Sequence, residues 1–197
     1  MRVILINKRR LGVSIIIIGL MLTMFGTQKF FRDRINYTSL MQNNINSLKE
    51  YVITKGEATY SLPSEWNTSE RSFGGEEIIY HNDFQSKDLK IHGFVEMWNL
   101  REDITDFLKK SEEISKAENK ILDYKLEKIK INNEEWYLVE YTVKNNYGSK
   151  YRSNEYFKKN KDKLIRFSFF VLEENFKENM PTLFKTIIQT FKHNLNQ

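Results

Sequence analysis

The chain contains no cysteine among its 197 residues. This absence excludes disulfide bonds, thiolate metal sites, cysteine nucleophiles and the lipid-modified cysteine of a lipoprotein. Any attachment to a membrane must therefore come from the peptide itself. A cysteine-free chain rich in Lys, Asn and Ile also fits an exported protein of a low-GC Gram-positive bacterium.

The globular part of the chain lacks an excess of positive charge. The formal net charge is +5, but residues 1–34 hold seven basic residues and one acid, a net charge of +6. Residues 35–197 therefore carry a net charge of −1. Proteins that bind nucleic acid through its phosphates need a basic surface, so we expect no nucleic-acid partner.

Motifs of common catalytic sites are missing as well. The sequence holds no serine-nucleophile motif, no Gly-rich phosphate loop and no histidines at metal-binding spacing. Adjacent acids occur, and a glycosidase needs two convergent carboxylates. Neighbouring side chains on a strand point to opposite faces, so such pairs cannot converge by themselves. The pairs are Glu76–Glu77, Glu112–Glu113, Glu134–Glu135 and Glu173–Glu174. We predict no enzyme, no catalytic residue and no cofactor.

A membrane anchor is predicted near the amino end. Leu11 to Gly26 are sixteen residues without a charge, and Phe30 and Phe31 lie close behind them. Sixteen helical residues cover about 24 Å, and interfacial residues extend this towards the roughly 30 Å of a hydrocarbon core. We therefore predict a transmembrane helix over residues 11–31. The alternatives are a cleaved signal peptide, although no small-x-small cleavage site follows, and a buried helix.

The basic residues beside the apolar run predict its orientation. Lys8, Arg9 and Arg10 abut the run in a short tail, which favours a cytoplasmic tail over residues 1–10. The remaining chain would then be extracytoplasmic. Three basic residues on the other side, Lys29, Arg32 and Arg34, weaken this bias.

The residues that follow predict a neck and one domain. Apolar residues at spacings of three to five favour a helical neck over residues 32–56. Beyond Gly56 the period changes, which indicates an α+β domain over residues 57–197, with an antiparallel sheet of about six strands flanked by helices. The predicted strands are Glu57–Leu62, Glu76–His81, Lys90–Trp98, Tyr124–Ile131, Glu135–Lys144, Lys150–Lys159 and Lys163–Leu172, and Ser64–Ser69 is predicted as a loop.

Two helices are predicted in this domain. One begins after a cap at Asp103 or Thr105 and runs to about Lys116. Its inner face would be Ile104, Phe107, Leu108 and Ile114. The other begins near Pro181, a good first-turn residue. It would bury Leu183, Phe184, Ile187, Ile188 and Phe191.

Two short segments resemble a known family. The opening ATYSLPSEW, Ala58 to Trp66, and the closing LFKTIIQTF, Leu183 to Phe191, are similar to those of the PsbP/Mog1-like fold. The resemblance implies an antiparallel sheet sandwiched by helices and a protein that acts by binding, with no catalytic residues to transfer. The apolar segment makes bacterial membrane-associated PsbP-related proteins the type that this chain resembles.

His81 and His92 are the candidate metal ligands. If the hairpin between them closes at Ser86 and Lys87, the two imidazoles lie opposite each other, with Asp83 or Asp88 nearby. Such a cluster could hold zinc or sense pH. A third ligand is not evident, so two surface or half-buried histidines are the simpler interpretation, and we predict no metal site.

A basic stretch is the candidate contact for an anionic surface. Its members are Lys144, Lys150, Arg152, Lys158, Lys159, Lys161 and Lys163, interleaved with tyrosines. They could lie on anionic lipid headgroups or wall polymers. Lysines on strands are also commonly solvated or protect an edge.

Taken together, these features predict the function. We expect a non-catalytic, membrane-anchored domain that binds an envelope component or a protein. The alternative is a structural or assembly subunit of an envelope complex that associates through its neck.

Overall fold

The computed structural model describes residues 16–23, 38, 40, 45–86 and 90–194. Its strands are β1 (Leu48–Ile53), β2 (Ala58–Pro63), β3 (Asn67–Glu70), β4 (Ile78–Gln85), β5 (Ile91–Asn99), β6 (Lys120–Ile131), β7 (Glu134–Lys144), β8 (Lys150–Asn160), β9 (Lys163–Leu172) and β10 (Lys192–His193). Two α-helices have both ends described, α1 (Ile104–Glu118) and α2 (Met180–Ile188). This is the α+β architecture that the sequence predicts.

The larger of two antiparallel sheets has seven strands, in the order β3-β4-β5-β9-β8-β7-β6. The predicted hairpins β6–β7 and β8–β9 are confirmed. Asn132 and Asn133 both have positive φ, as a tight two-residue hairpin turn requires. The sequence predicted a sheet of about six strands, one fewer than this sheet contains. Part of the predicted Ser64–Ser69 loop is β3, a polar edge strand without apolar alternation.

One face of the large sheet, the α2 face, packs against a helix and the smaller sheet. Strand β9 buries Ile165, Phe167, Phe169 and Val171 here. They pack against α2, whose predicted core residues Leu183, Phe184, Ile187 and Ile188 are buried, and against a three-stranded sheet of order β1-β2-β10. Phe169 and Phe184 stack with ring centroids 4.3 Å apart. Alternation places these apolar side chains on one side of each strand, so this face is the main core.

The opposite face, the α1 face, is covered in part. Helix α1 begins at Ile104, and Asp103 accepts a hydrogen bond from the Thr105 backbone N–H, so Asp103 is the cap. Ile104 and Leu108 pack with a second cluster that includes Phe157 and Leu164. The prediction that Ile114 lies on the inner face is wrong. Its side chain is 56% exposed, because the last turns of α1 lie beyond this cluster.

The predicted helical neck over residues 32–56 is wrong at residues 48–53, which form strand β1. This strand pairs with β2, so Leu48 lies opposite Pro63 and Ile53 opposite Ala58. Tyr51 and Ile53 face the core at the two-residue spacing of a strand. Leu48 and Val52 lie four residues apart, which also fits a helix, but Val52 is 55% exposed. The other described positions of the neck include Thr38 and Leu40, which are helical.

The predicted transmembrane segment 11–31 lies outside the described residues, apart from residues 16–23, which are helical. The predicted cytoplasmic tail 1–10 also lies outside them. Within the described part of the chain, none of the helices has the length and apolar character needed to cross a bilayer.

Candidate functional site: an open groove beside a row of buried charges

A groove of about 550 Å³ occupies the part of the α1 face that α1 leaves uncovered. The side chains of His92, Phe94 and Phe170, from the adjacent strands β5 and β9, line it. A polar rim comes from the edge strands β3 and β4 and the residues after β3. The rim residues are Asn67, Ser69, Arg71, Asp83 and Gln85. Aromatic rings surrounded by a few polar groups are the usual composition of a binding site.

At the inner end of this groove, the titratable side chains of His81, Glu96 and Arg166 lie next to one another on three neighbouring strands. The strand register places His81 of β4 opposite Glu96 of β5, and Glu96 opposite Arg166 of β9. The His81 Nδ1 lies 2.8 Å from Glu96 Oε1, and Arg166 Nη1 lies 3.6 Å from Glu96 Oε2. Trp98 Nε1 also donates to Glu96 Oε2, at 2.9 Å. The buried Glu96 carboxylate is therefore held from three sides.

The row continues towards both edges of the sheet. On the groove side, His81 Nε2 lies 3.1 Å from Asp83 Oδ1, and Arg71 Nε lies 2.6 Å from Asp83 Oδ2. On the far side, Arg166 Nη2 donates to both oxygens of Glu155, at 3.0 and 2.9 Å. Tyr141 donates to the same carboxylate, at 2.9 Å. Alternating basic and acidic side chains therefore run from the rim of the groove towards β7, where Tyr141 ends the row.

Carboxylates face both nitrogens of the His81 ring. Asp83 contacts one of these nitrogens and Glu96 contacts the other, so His81 links the two carboxylates. Each carboxylate also contacts an arginine, Arg71 in the case of Asp83 and Arg166 in the case of Glu96. Such pairing is what buried carboxylates require, because an unpaired charge away from water is costly.

The aromatic floor is packed onto this row. The His81 ring stacks on Phe94 with centroids 5.4 Å apart, and the Arg166 guanidinium lies 4.9 Å from the centre of the Phe94 ring. Phe94 and His92 each contact Phe170, with ring centroids 6.0 and 5.6 Å apart. The buried charges therefore fix the position of the groove floor as well as the rim carboxylate Asp83.

Three pKa values reflect these surroundings. Burial disfavours the charge of Arg166, but the nearby Glu155 carboxylate and then Glu96 outweigh it, so the Arg166 pKa lies above its ordinary value. Burial, and next the Glu155 charge, raise the pKa of the Tyr141 hydroxyl. Burial lowers the pKa of His92 below its ordinary 6.5. His92 is therefore neutral at pH 7 and offers the groove a flat aromatic ring.

The predicted pairing of His81 with His92 is wrong. The register places Glu96 opposite His81 and Gln85 opposite His92, four residues away from the expected pairing. His81 is buried in the row of charges, whereas His92 stacks on Phe170 in the groove. Across the residues that the structure describes, no three His, Asp or Glu side chains are arranged to hold a metal ion.

The seven predicted anionic-surface residues lie at two ends of the β8 hairpins rather than in one patch. Lys144, Lys150 and Arg152 lie at the end where β7 meets β8, and the other four lie around the β8–β9 turn. Strand β8 has eleven residues, so roughly 30 Å separates the two groups. Lys158 is engaged internally: it contacts Glu134 at 2.6 Å and lies over the Trp136 and Phe191 rings.

Sequence reasoning missed the row of charges and the groove. A usable signal was present, because Glu96 and Arg166 are charged residues inside otherwise apolar strands, in GFVEMW and LIRFSFF. A charge at such a position must be paired or must line a site. Its partners come from strands distant in sequence, so the signal marks the residue but not the network.

Solved structures provide the comparison with known proteins. The solution structure of cyanobacterial PsbP (CyanoP) from Synechocystis sp. PCC 6803 matches with a TM-score of 0.59 and 17% identity, covering 76% of this chain and 94% of that one. A crystal structure from Bacteroides thetaiotaomicron matches with a TM-score of 0.53 and 14% identity, covering 75% of this chain and 49% of that one. No protein-family model and no curated protein sequence matches the chain. The chain has the PsbP-like fold, as the resemblance at its two ends predicts.

Proposed function

We propose that this protein is a non-catalytic binding protein, anchored by its amino-terminal segment, whose extracytoplasmic domain holds an envelope component or a partner protein in the groove of the α1 face. The observation that carries the proposal is the half-covered sheet face. Helix α1 packs over Leu164 and Phe157, while His92, Phe94 and Phe170 line a groove of about 550 Å³. Aromatic side chains left at the surface of a sheet are suited to hold a ligand.

The groove side chains are held in place by internal contacts, which supports a binding function. Phe94 contacts His81 and Arg166, and Asp83 contacts His81 and Arg71. A site whose side chains are already fixed loses little conformational entropy when a partner docks. The row of charges therefore acts as a support for the binding surface.

The engagement of the carboxylates favours binding over hydrolysis. A glycosidase needs one protonated and one free carboxylate at either side of a substrate bond. Here Asp83 contacts Arg71 and His81, Glu96 contacts His81 and Arg166, and Glu155 contacts Arg166. All three are occupied by internal partners, so none is available as a general acid.

The anchoring part of the proposal rests on the sequence. Sixteen uncharged residues from Leu11 to Gly26 follow the basic cluster Lys8 to Arg10. Protease treatment of intact, wall-free cells tests it: we expect the carboxy-terminal domain to be digested while the tail of residues 1–10 stays protected. Survival of the domain would contradict the orientation, and recovery of the full chain in the cytosolic supernatant would contradict the anchor.

Site-specific photocrosslinking tests the groove. A photoreactive residue replaces Gln85, which is exposed on the rim, or as a matched control Glu127, which is exposed on the edge strand β6. We expect a discrete adduct from position 85 and none from position 127. Arg71→Ala should weaken the adduct at position 85, because Arg71 lines the same groove.

Three outcomes of the crosslinking would contradict groove binding or favour the alternative function. Identical adducts at both positions, or an adduct at position 85 that Arg71→Ala leaves unchanged, would contradict the groove as the binding surface. An adduct with the mass of two copies of this chain would instead support the alternative, a structural or assembly subunit of an envelope complex.

A further inference from the structure

Three lysines lie side by side at one corner of the large sheet. Lys144 is the last residue of β7, and it pairs with Lys150 of β8 on one side and with Lys120 of β6 on the other. Neighbouring strands are roughly 5 Å apart, and like charges directly opposite one another destabilise a sheet. The arrangement therefore concentrates positive charge at this corner, and an anionic surface lying against it would relieve the repulsion.

Arg152 and Tyr147 extend this corner. Arg152 lies in the next row of the same face and stacks over Phe176 at 4.8 Å. The loop from Asn145 to Ser149 joins β7 to β8 and projects Tyr147, whose side chain is 95% exposed. Gly148, with a φ of 88°, allows the tight turn that places Tyr147 at the tip.

Few carboxylates neutralise the positive charge of this corner. Among the residues that the structure describes, Glu173 is the one carboxylate in salt-bridge contact with these four cations, at 3.4 Å from Lys150. At the other end of β8, two of the four lysines have internal partners: Lys158 contacts Glu134 and lies over the Trp136 and Phe191 rings, and Lys163 donates to Asn99 Oδ1 at 2.9 Å.

We propose that Lys120, Lys144, Lys150 and Arg152, together with Tyr147, dock onto the anionic lipid headgroups of the membrane that carries the protein. Lysines on flexible stems suit a headgroup layer, and tyrosine is enriched where membrane meets water, because its ring is apolar and its hydroxyl is polar. The docking surface is separate from the groove. It rests on the anchoring part of the proposed function, since an anchored domain stays close to its bilayer.

The experiment uses the full chain in vesicles. Because the chain has no cysteine, Tyr147→Cys provides a single site for a polarity-sensitive fluorophore. The labelled protein is reconstituted into vesicles of phosphatidylcholine alone or of phosphatidylcholine mixed with phosphatidylglycerol. We expect fluorescence at least about twofold higher with phosphatidylglycerol, and loss of this difference in high salt, where surface charges are screened.

Two controls locate the effect. A fluorophore on Lys161→Cys, an exposed position in the β8–β9 turn, should report no difference between the two vesicles. The combined variant Lys120→Gln, Lys144→Gln and Lys150→Gln should abolish the response at position 147. Its circular dichroism should match the parent, because the three lysines lie at the ends of strands.

The outcomes separate the two proposals. A chain that fails to float with either vesicle overturns the anchor and the docking surface together. A chain that floats with both, but whose label at position 147 responds equally in the two vesicles or responds without the three lysines, overturns the docking surface alone.

Discussion

Strand β9 contributes to two faces that are built from different chemistry. Towards α2 it presents Ile165, Phe167, Phe169 and Val171, all buried among other apolar side chains. Towards α1 it presents Leu164, Arg166, Ser168 and Phe170. Along β9 the α2 face is continuous core, whereas the α1 face changes from apolar packing under the helix to a row of charged side chains and then to an open groove. One face therefore supplies stability, and the other carries the groove in which we propose that a partner binds.

This difference has an energetic basis. Burial of apolar area stabilises the fold roughly in proportion to that area, at about 25 cal/mol per Å². Buried ion pairs contribute little net stability, because desolvation offsets most of their attraction, yet removing one partner is costly. The two faces should consequently respond differently to substitution.

The largest expected effect compares adjacent phenylalanines on opposite faces. Phe169→Ala should lower the free energy of unfolding by about 4 kcal/mol, because Phe169 is fully buried and stacks on Phe184. Phe170→Ala should lower it by only about 1 kcal/mol, since Phe170 lies in the open groove. Urea unfolding of the full chain in mild detergent, followed by tryptophan fluorescence, measures both. Equal losses would show that the groove is as much a core as the α2 face.

A second expected effect tests the row of charges. Glu96→Ala leaves His81 and Arg166 without their shared carboxylate and should lower the free energy of unfolding by about 3 kcal/mol. The same denaturation assay applies.

The matched control for Glu96 is Glu127→Ala, which removes an exposed pair with Lys125 and should leave the free energy of unfolding essentially unchanged. A similarly small loss for Glu96→Ala would mean that water replaces the carboxylate and that the row does not support the groove.

The smallest effect concerns the ionisation of His92. Burial lowers its pKa, so its NMR titration midpoint should lie below 6.5, and Phe170→Ala should move the midpoint back towards 6.5 by exposing the ring. His92→Gln assigns the resonance.

The direction of the accompanying stability change follows from the sign of the shift. Below pH 6.5 the unfolded chain takes up the proton before the folded protein does, so the His92 contribution to stability is complete above 6.5 and is lost as the pH falls towards the folded pKa. A midpoint at or above 6.5 would contradict the stacked, neutral ring.

Local patterns predicted much of the fold. Alternation identified β7, β8 and β9, the Asn132–Asn133 turn marked the β6–β7 hairpin, and Asp103 marked the start of α1. The failures occurred where local pattern is ambiguous. β1 has an apolar spacing that also fits a helix, and β3 is a polar edge strand with almost no apolar signal.

Local patterns could not predict which side chains meet at the candidate site. The error in the β4–β5 register was four residues, an even number, so each side chain kept its face while its cross-strand partner changed. His81 was consequently expected beside His92 and instead lies beside Glu96. Arg166 could be recognised as an unusual charge, but Glu96 is 70 positions away in the chain.

The sequence by itself determined the two helices and most strands of the domain, the apolar face of most of these elements, and the PsbP-like character of the two ends of the domain. These features depend on side chains a few residues apart, so they can be read locally. Only the tertiary structure decided which charged side chains pair across β4, β5, β9 and β8, and that α1 leaves part of its sheet face open. Pairing and coverage depend on the register and relative placement of distant segments, and residue spacing along the chain does not encode either directly.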